Sequence, residues 1–120
     1  MAVDRVNEYV SYLYEPLHPS LIRLIGEVAK AANAAGIPCT VCGEMAGEPM
    51  IAPVLTGLGL RELSMSAVSI PEVKATIRQM TVAETKELVE KVVHLPTAAD
   101  VRAMVTDYVF GLATPRKEPV

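Results

Sequence analysis

The chain has 120 residues, 51% of them hydrophobic and 21% charged, with a formal net charge of −3. That length fits one domain or a part of one, and that composition builds a core and excludes a disordered chain. A mild acidic excess, no Lys/Arg cluster and no apolar run near the ~18 residues of a membrane span argue against nucleic-acid and membrane partners. The opening MAVDRVNEYV carries charge where a signal peptide is apolar, and two cysteines without a disulfide-rich pattern suit a reducing cytoplasm. Mean hydropathy is +0.32, high for a small chain with 4% aromatic residues.

Residues 1–18, interrupted by Pro16, predict an irregular or helical lead-in. A helix follows, with His18 near its cap and Pro19 at its first position. Leu21, Leu24, Ile25, Val28, Ala32 and Ala35 fall on one face at helical spacing, and Gly36 ends the helix. Residues 37–42 are apolar and partly β-branched, which predicts a buried strand. The loop GEMAGEP leads to a second helix with Ile51, Val54, Leu55 and Leu58 on one face and Pro53 in the first turn. Alternation over 62–66 sets Leu63 and Met65 on one side of a second strand. Pro71 then opens a helix that directs Val73, Ile77 and Met80 inward. Thr81 with Glu84 and Thr97 with Asp100 have the spacing of capping boxes. They begin two more helices, one carrying Leu88, Val89 and Val92, the other Val101, Met104, Val105, Tyr108 and Val109. The tail 112–120 is expected to be disordered. Two strands joined through a helix run parallel, and two are too few for a parallel sheet covered on both faces. The chain is therefore expected to be a piece of a larger α/β protein or to complete its sheet by self-association.

Cys39-Thr-Val-Cys42 has C-x-x-C spacing, but residues three apart on a strand point to opposite faces. The two sulfurs are then expected neither to bridge nor to share a metal, and neither His18 nor His94 lies at zinc-finger spacing. Cys42 alone sits where a parallel strand runs into a glycine-rich loop, the place where α/β folds put reacting groups. A small core cysteine is the simpler role for it. From these residues alone both stand. Arg5 precedes any recognisable element and reads as a solvated arginine. His18 reads as a cap, and Ser64, Ser66 and Ser69 read first as caps of the next helix and second as phosphate ligands.

AVDR, SYLYEPLHPSLIRLI, VCGEMAGEP and LGLRELSMSAVSIPEVK together resemble the C-terminal end of the bacterial phosphoenolpyruvate-protein phosphotransferases, the enzymes I of the sugar phosphotransferase system. The resemblance runs in unbroken order over nearly the whole chain. The related pyruvate phosphate dikinases and phosphoenolpyruvate synthases share the cysteine-bearing loop, but SMSAVSIP and the short C-terminus favour the phosphotransferases.

The resemblance implies that residues 1–111 form the C-terminal portion of a TIM-type (β/α)8 barrel domain, an α/β fold of which the chain carries the last two parallel strands with flanking and C-terminal helices. It implies a cytoplasmic, homo-oligomeric enzyme that binds phosphoenolpyruvate with Mg²⁺ at the barrel mouth. The enzyme passes the phosphoryl group to a histidine on a separate N-terminal domain, and from there to a histidine-containing phosphocarrier protein. Cys42 falls on the family's acid, which protonates the enolate carbon to give pyruvate. Arg5 falls on one of several arginines that clamp the substrate phosphate. The metal ligands, the other arginines and the phosphorylated histidine correspond to positions upstream of Met1. Glu48 stands where the family pattern usually has Asp.

Overall fold

Proline at the first helical position and the His18 side chain set the start of α1 (Pro19–Ala35), where His18 Nδ1 accepts a hydrogen bond from the Ser20 N–H at 3.2 Å. Gly36 ends the helix, its N–H donating to the Ala32 and Asn33 carbonyls. The computed structural model describes Val3, Asp4 and residues 6–113. Ile22, Ala29 and Ala32 are the buried side of α1, whereas Leu24 and Val28 are 48% and 54% exposed. The expected Leu24/Val28 face is thus corrected. The helix is apolar around more than half its circumference, and the described residues cover only the side that meets Val54, Leu55 and Leu60 in the core.

The two strands, β1 (Thr40–Val41) and β2 (Glu62–Leu63), pair in parallel with Thr40 opposite Glu62 and Val41 opposite Leu63. The ladder is shorter than the runs 37–42 and 62–66. The Ser64 N–H extends it by one bond to the Val41 carbonyl at 2.7 Å, and the Thr40 hydroxyl donates to Glu62 Oε2 at 2.7 Å. Each strand has one neighbour among the described residues, so Ile37 stays 59% exposed where a buried strand was expected. Past the paired residues the alternation continues: Leu63 and Met65 are half-buried, while Glu62, Ser64 and Ser66 are exposed.

Between the strands runs α2 (Ala52–Gly57), with Pro53 in its first turn and Ala52, Pro53, Val54 and Leu55 all buried. Its last residue explains its seat against α4 (Val82–Val92). A Cβ on Gly57 would collide with the Thr85 backbone carbonyl and stand 2.6 Å from Val89 Cγ2, so only glycine permits this approach. Before α4, the short α3 (Ile70–Ile77) buries Val73. The capping box of α4 is complete: the Glu84 N–H donates to Thr81 Oγ1 at 3.2 Å and the Thr81 N–H to Glu84 Oε2 at 2.9 Å.

At α5 (Ala98–Ala113) the Asp100 N–H likewise donates to Thr97 Oγ1 at 3.1 Å. The aspartate is one methylene shorter than glutamate, and its Oδ2 takes the Thr97 hydroxyl at 2.6 Å. Val101 and Val105 bury α5 in the core shared with Leu88 and Val92. The helix continues through Leu112 and Ala113, past the expected start of the tail, and residues 114–120 lie outside the described residues. Two side chains brace α1 against its neighbours: Arg23 Nη1 donates to the Val93 carbonyl at 2.8 Å, and Asn33 Nδ2 to the Gly59 carbonyl at 3.3 Å. No helix among the described residues is long and apolar enough to cross a membrane.

Candidate functional site

The loops that leave β1 and β2 at their C-terminal ends face each other across an open cleft of about 530 Å³. The first loop runs from Cys42 through Gly43, whose φ of 87° only glycine adopts readily, into a single 3₁₀ turn, Glu44–Gly47. Ala46 is fully buried beneath the turn and Ile51 beyond it, so the turn is pinned to the core at both ends. The second loop carries Ser64, Met65 and Ser66 to the start of α3. Gly47 fits the two loops together: a Cβ there would stand 3.2 Å from Ser69 Oγ and 3.3 Å from Ser69 Cβ. Ser66 Oγ and Ser69 Oγ share a hydrogen bond of 3.1 Å.

Carboxylates and hydroxyls line this cleft. Gly43, Glu44, Gly47, Glu48, Ser64 and Ser66 contribute to its walls, and among the described lining residues there is no Lys or Arg. Burial pushes the Glu48 carboxyl above the ordinary glutamate range; Arg102 pulls it down, and the charges of Glu15 and Glu44 push it up. A smaller apolar cavity, about 290 Å³, joins the segment before α1 to the same turn, with Leu13, Tyr14, Glu15 and His18 on one side and Met45 on the other.

The two cysteines part company. Cys39 is half-buried and packs on the core, while Cys42 is exposed at the head of the loop; both thiols are free. The strand expected to carry both cysteines spans only Thr40–Val41, so they flank it and the opposite-face geometry does not arise; Cys42 is not a core residue among the described ones. Arg5 lies outside the described residues. His18 is a cap. Among the described residues no three His, Cys, Asp or Glu side chains converge in a way that could hold a metal ion. Arg102 and Glu15 escaped the sequence reading. They meet at 2.8 Å across 87 positions, and no local spacing signals such a pair.

The chain is 45% identical over 108 residues to the phosphoenolpyruvate-protein phosphotransferase of Staphylococcus carnosus (strain TM300), an overlap of 90% of this chain and 19% of the relative. It is 40% identical over 110 residues to that of Haemophilus influenzae (strain ATCC 51907 / DSM 11121 / KW20 / Rd), covering 92% of this chain and 19% of the relative. With the protein of the same name from Lactococcus lactis subsp. lactis (strain IL1403), identity is 44% over 109 residues, again 90% and 19%. The chain therefore spans about a fifth of the length of the curated relatives it matches. The family model described as PEP-utilising enzyme, PEP-binding domain, matches residues 1–82, well over half of the sequence. The chain belongs to the PEP-utilising enzymes, within their PEP-binding domain.

Proposed function

We propose that the chain is the C-terminal part of the phosphoenolpyruvate-binding domain of a phosphoenolpyruvate-protein phosphotransferase, supplying the last two strands of a (β/α)8 barrel. The observation that carries this is the exposed Cys42, one residue before Gly43 on the wall of an open cleft at the C-terminal ends of two parallel strands, in a chain of this family.

In the reaction, the bond between phosphorus and the enol oxygen breaks and a bond from phosphorus to a protein histidine forms. The enolate left behind takes the Cys42 Sγ proton at its methylene carbon, giving pyruvate, and solvent reprotonates the thiolate. A thiol titrates in a range suited to giving and retaking a carbon-bound proton. The Arg5 guanidinium offers paired donors to phosphoryl oxygens. The described cleft presents acids and no cation, so the phosphate depends on Arg5 and on residues upstream of this segment. Mg²⁺, when bound, would neutralise phosphate and enolate charge. Its ligands belong, in this proposal, to the part of the domain upstream of this segment. The same proposal takes a histidine-containing phosphocarrier protein as acceptor, a cytoplasmic location and a homo-oligomer.

Pyruvate release with Mg²⁺ and the phosphocarrier protein tests this. The full-length protein turns over, Cys42→Ala in it loses about 100-fold or more, and the 120-residue chain alone is inactive. A Cys42→Ala enzyme with full turnover would falsify the role of the thiol, and turnover by the isolated chain would overturn its dependence on upstream residues. Self-association is a second role, favoured by Val6, Tyr9 and Tyr12, each more than three-quarters exposed.

A further inference from the structure

The Cys42 loop is held at each of its ends to the segment that runs from β2 into α3. At the near end the Ser64 N–H donates to the carbonyl of Val41, the residue before Cys42, at 2.7 Å. At the far end Gly47 sits against Ser69: a Cβ on Gly47 would stand 3.2 Å from Ser69 Oγ, 3.3 Å from Ser69 Cβ and 3.5 Å from Met65 Cβ. Between these ends the two segments part, and the space left is the cleft, with Glu44 on one wall and Ser66 on the other.

Gly47 is glycine for lack of space. Its φ is not positive, whereas Gly43 has a φ of 87° and a Cβ there would meet nothing within 4 Å. The Ser69 hydroxyl could turn aside from an added methyl, but Ser69 Cβ and Met65 Cβ move only with their backbone. That backbone is tied down. The Ser69 N–H donates to the Ser66 carbonyl at 3.0 Å, and the Ser69 carbonyl accepts at 3.2 Å from the N–H of the buried Val73. On the other side Ala46, next to Gly47, is fully buried. A methyl at position 47 therefore displaces a loop by a few tenths of an ångström, and no side-chain rotation absorbs it.

We infer that Gly47 is a positioning residue: its missing side chain lets the loop close on Ser69, and that contact fixes where Cys42 stands relative to the opposite wall of the cleft. The inference rests on the proposed function, in which Cys42 Sγ gives its proton to the enolate carbon. Proton transfer depends steeply on the separation and alignment of donor and acceptor. A shift too small to unfold the loop thus slows the step. Gly47 touches no reacting atom. In the same proposal the substrate phosphate is held by groups outside this loop, so the effect falls on kcat and leaves KM nearly unchanged.

A double-mutant cycle in the full-length protein tests it. Gly47→Ala lowers kcat for pyruvate release about tenfold, with KM for phosphoenolpyruvate changed far less. Ser69→Gly removes both atoms nearest the added methyl and serves as its own reference. In that background Gly47→Ala costs little further kcat, because the space has been opened. Equal losses from Gly47→Ala in the two backgrounds overturn the inference, and so does a loss that appears in KM with kcat unchanged. NMR of the 120-residue chain reads the same geometry without turnover. An NOE joins Gly47 Hα to Ser69 Hβ, and Gly47→Ala moves the Cys42 and Gly43 amide resonances in the native background but not in Ser69→Gly. A missing NOE, or amide resonances that Gly47→Ala leaves in place, overturns it as well. If the wild-type full-length protein releases no pyruvate from phosphoenolpyruvate, the proposed function falls instead, and the NMR cycle alone decides whether Gly47 positions the loop.

Discussion

Burial of Glu48 at the rim of the cleft raises its carboxyl above the ordinary glutamate range despite the pull of Arg102. A raised carboxyl binds its proton more tightly in the folded than in the unfolded chain. Its contribution is fully present below the ordinary glutamate value and is lost as the pH climbs through the raised one. Glu48→Gln removes that loss, so the variant should gain on the wild type between mildly acidic and neutral pH and converge with it in acid. Urea unfolding of both chains across that range measures the difference, and parallel curves would contradict the prediction. Cys42 is a case of the opposite kind: the sequence left a packing role and a reacting role open, and the described residues do not bury it. An apolar strand next to a glycine loop favours packing at both cysteines. The strand, however, covers only Thr40–Val41, and of the two residues that flank it Cys39 is the one that packs.

Among the helices, α2 and α4 pack together most extensively, and Gly57 allows it. Gly57→Ala puts a methyl against the Thr85 backbone, which cannot rotate away as a side chain could. It should cost about 1–3 kcal/mol as the helices are forced apart, whereas Gly111→Ala, in α5 with nothing within 4 Å of the added methyl, should be neutral or stabilise by up to about 1 kcal/mol. Equal midpoints in denaturant for the two variants would refute this. The caps invite a similar comparison. Thr81→Ala breaks a reciprocal pair and should cost about 1 kcal/mol or more, and Thr97→Ala less, because Asp100 bonds the hydroxyl and not the cap backbone. Both caps, Pro19, Pro53 and Gly36 were legible in the sequence, because each signal is local. The buried face of α1, the length of the strands and the Arg102–Glu15 pair were not. Each of these depends on which distant surface arrives, and the 3.6-residue period of α1 supports two apolar faces equally well.

At the scale of the molecule, the chain is drawn out. Its radius of gyration is 14.8 Å with extents of 54 × 35 × 33 Å, against about 13.6 Å for a typical domain of this length. Val6, Tyr9 and Tyr12 stand in solvent along the segment before α1, and Leu24 and Val28 line the uncovered side of that helix. In the (β/α)8 barrel proposed above, each helix packs on the strands and, at its flanks, on neighbouring helices, and each strand has two partners. Here the described strands have one each. Apolar surface of this extent drives burial wherever it can be found. The isolated chain should therefore associate with itself, with a sedimentation coefficient that rises over the micromolar range. Leu24→Lys together with Val28→Lys should shift it toward monomer while leaving the α2–α4 core and its melting transition in place, since neither residue is buried. A chain that stays monomeric at high concentration with both residues native would remove self-association as a role for these faces.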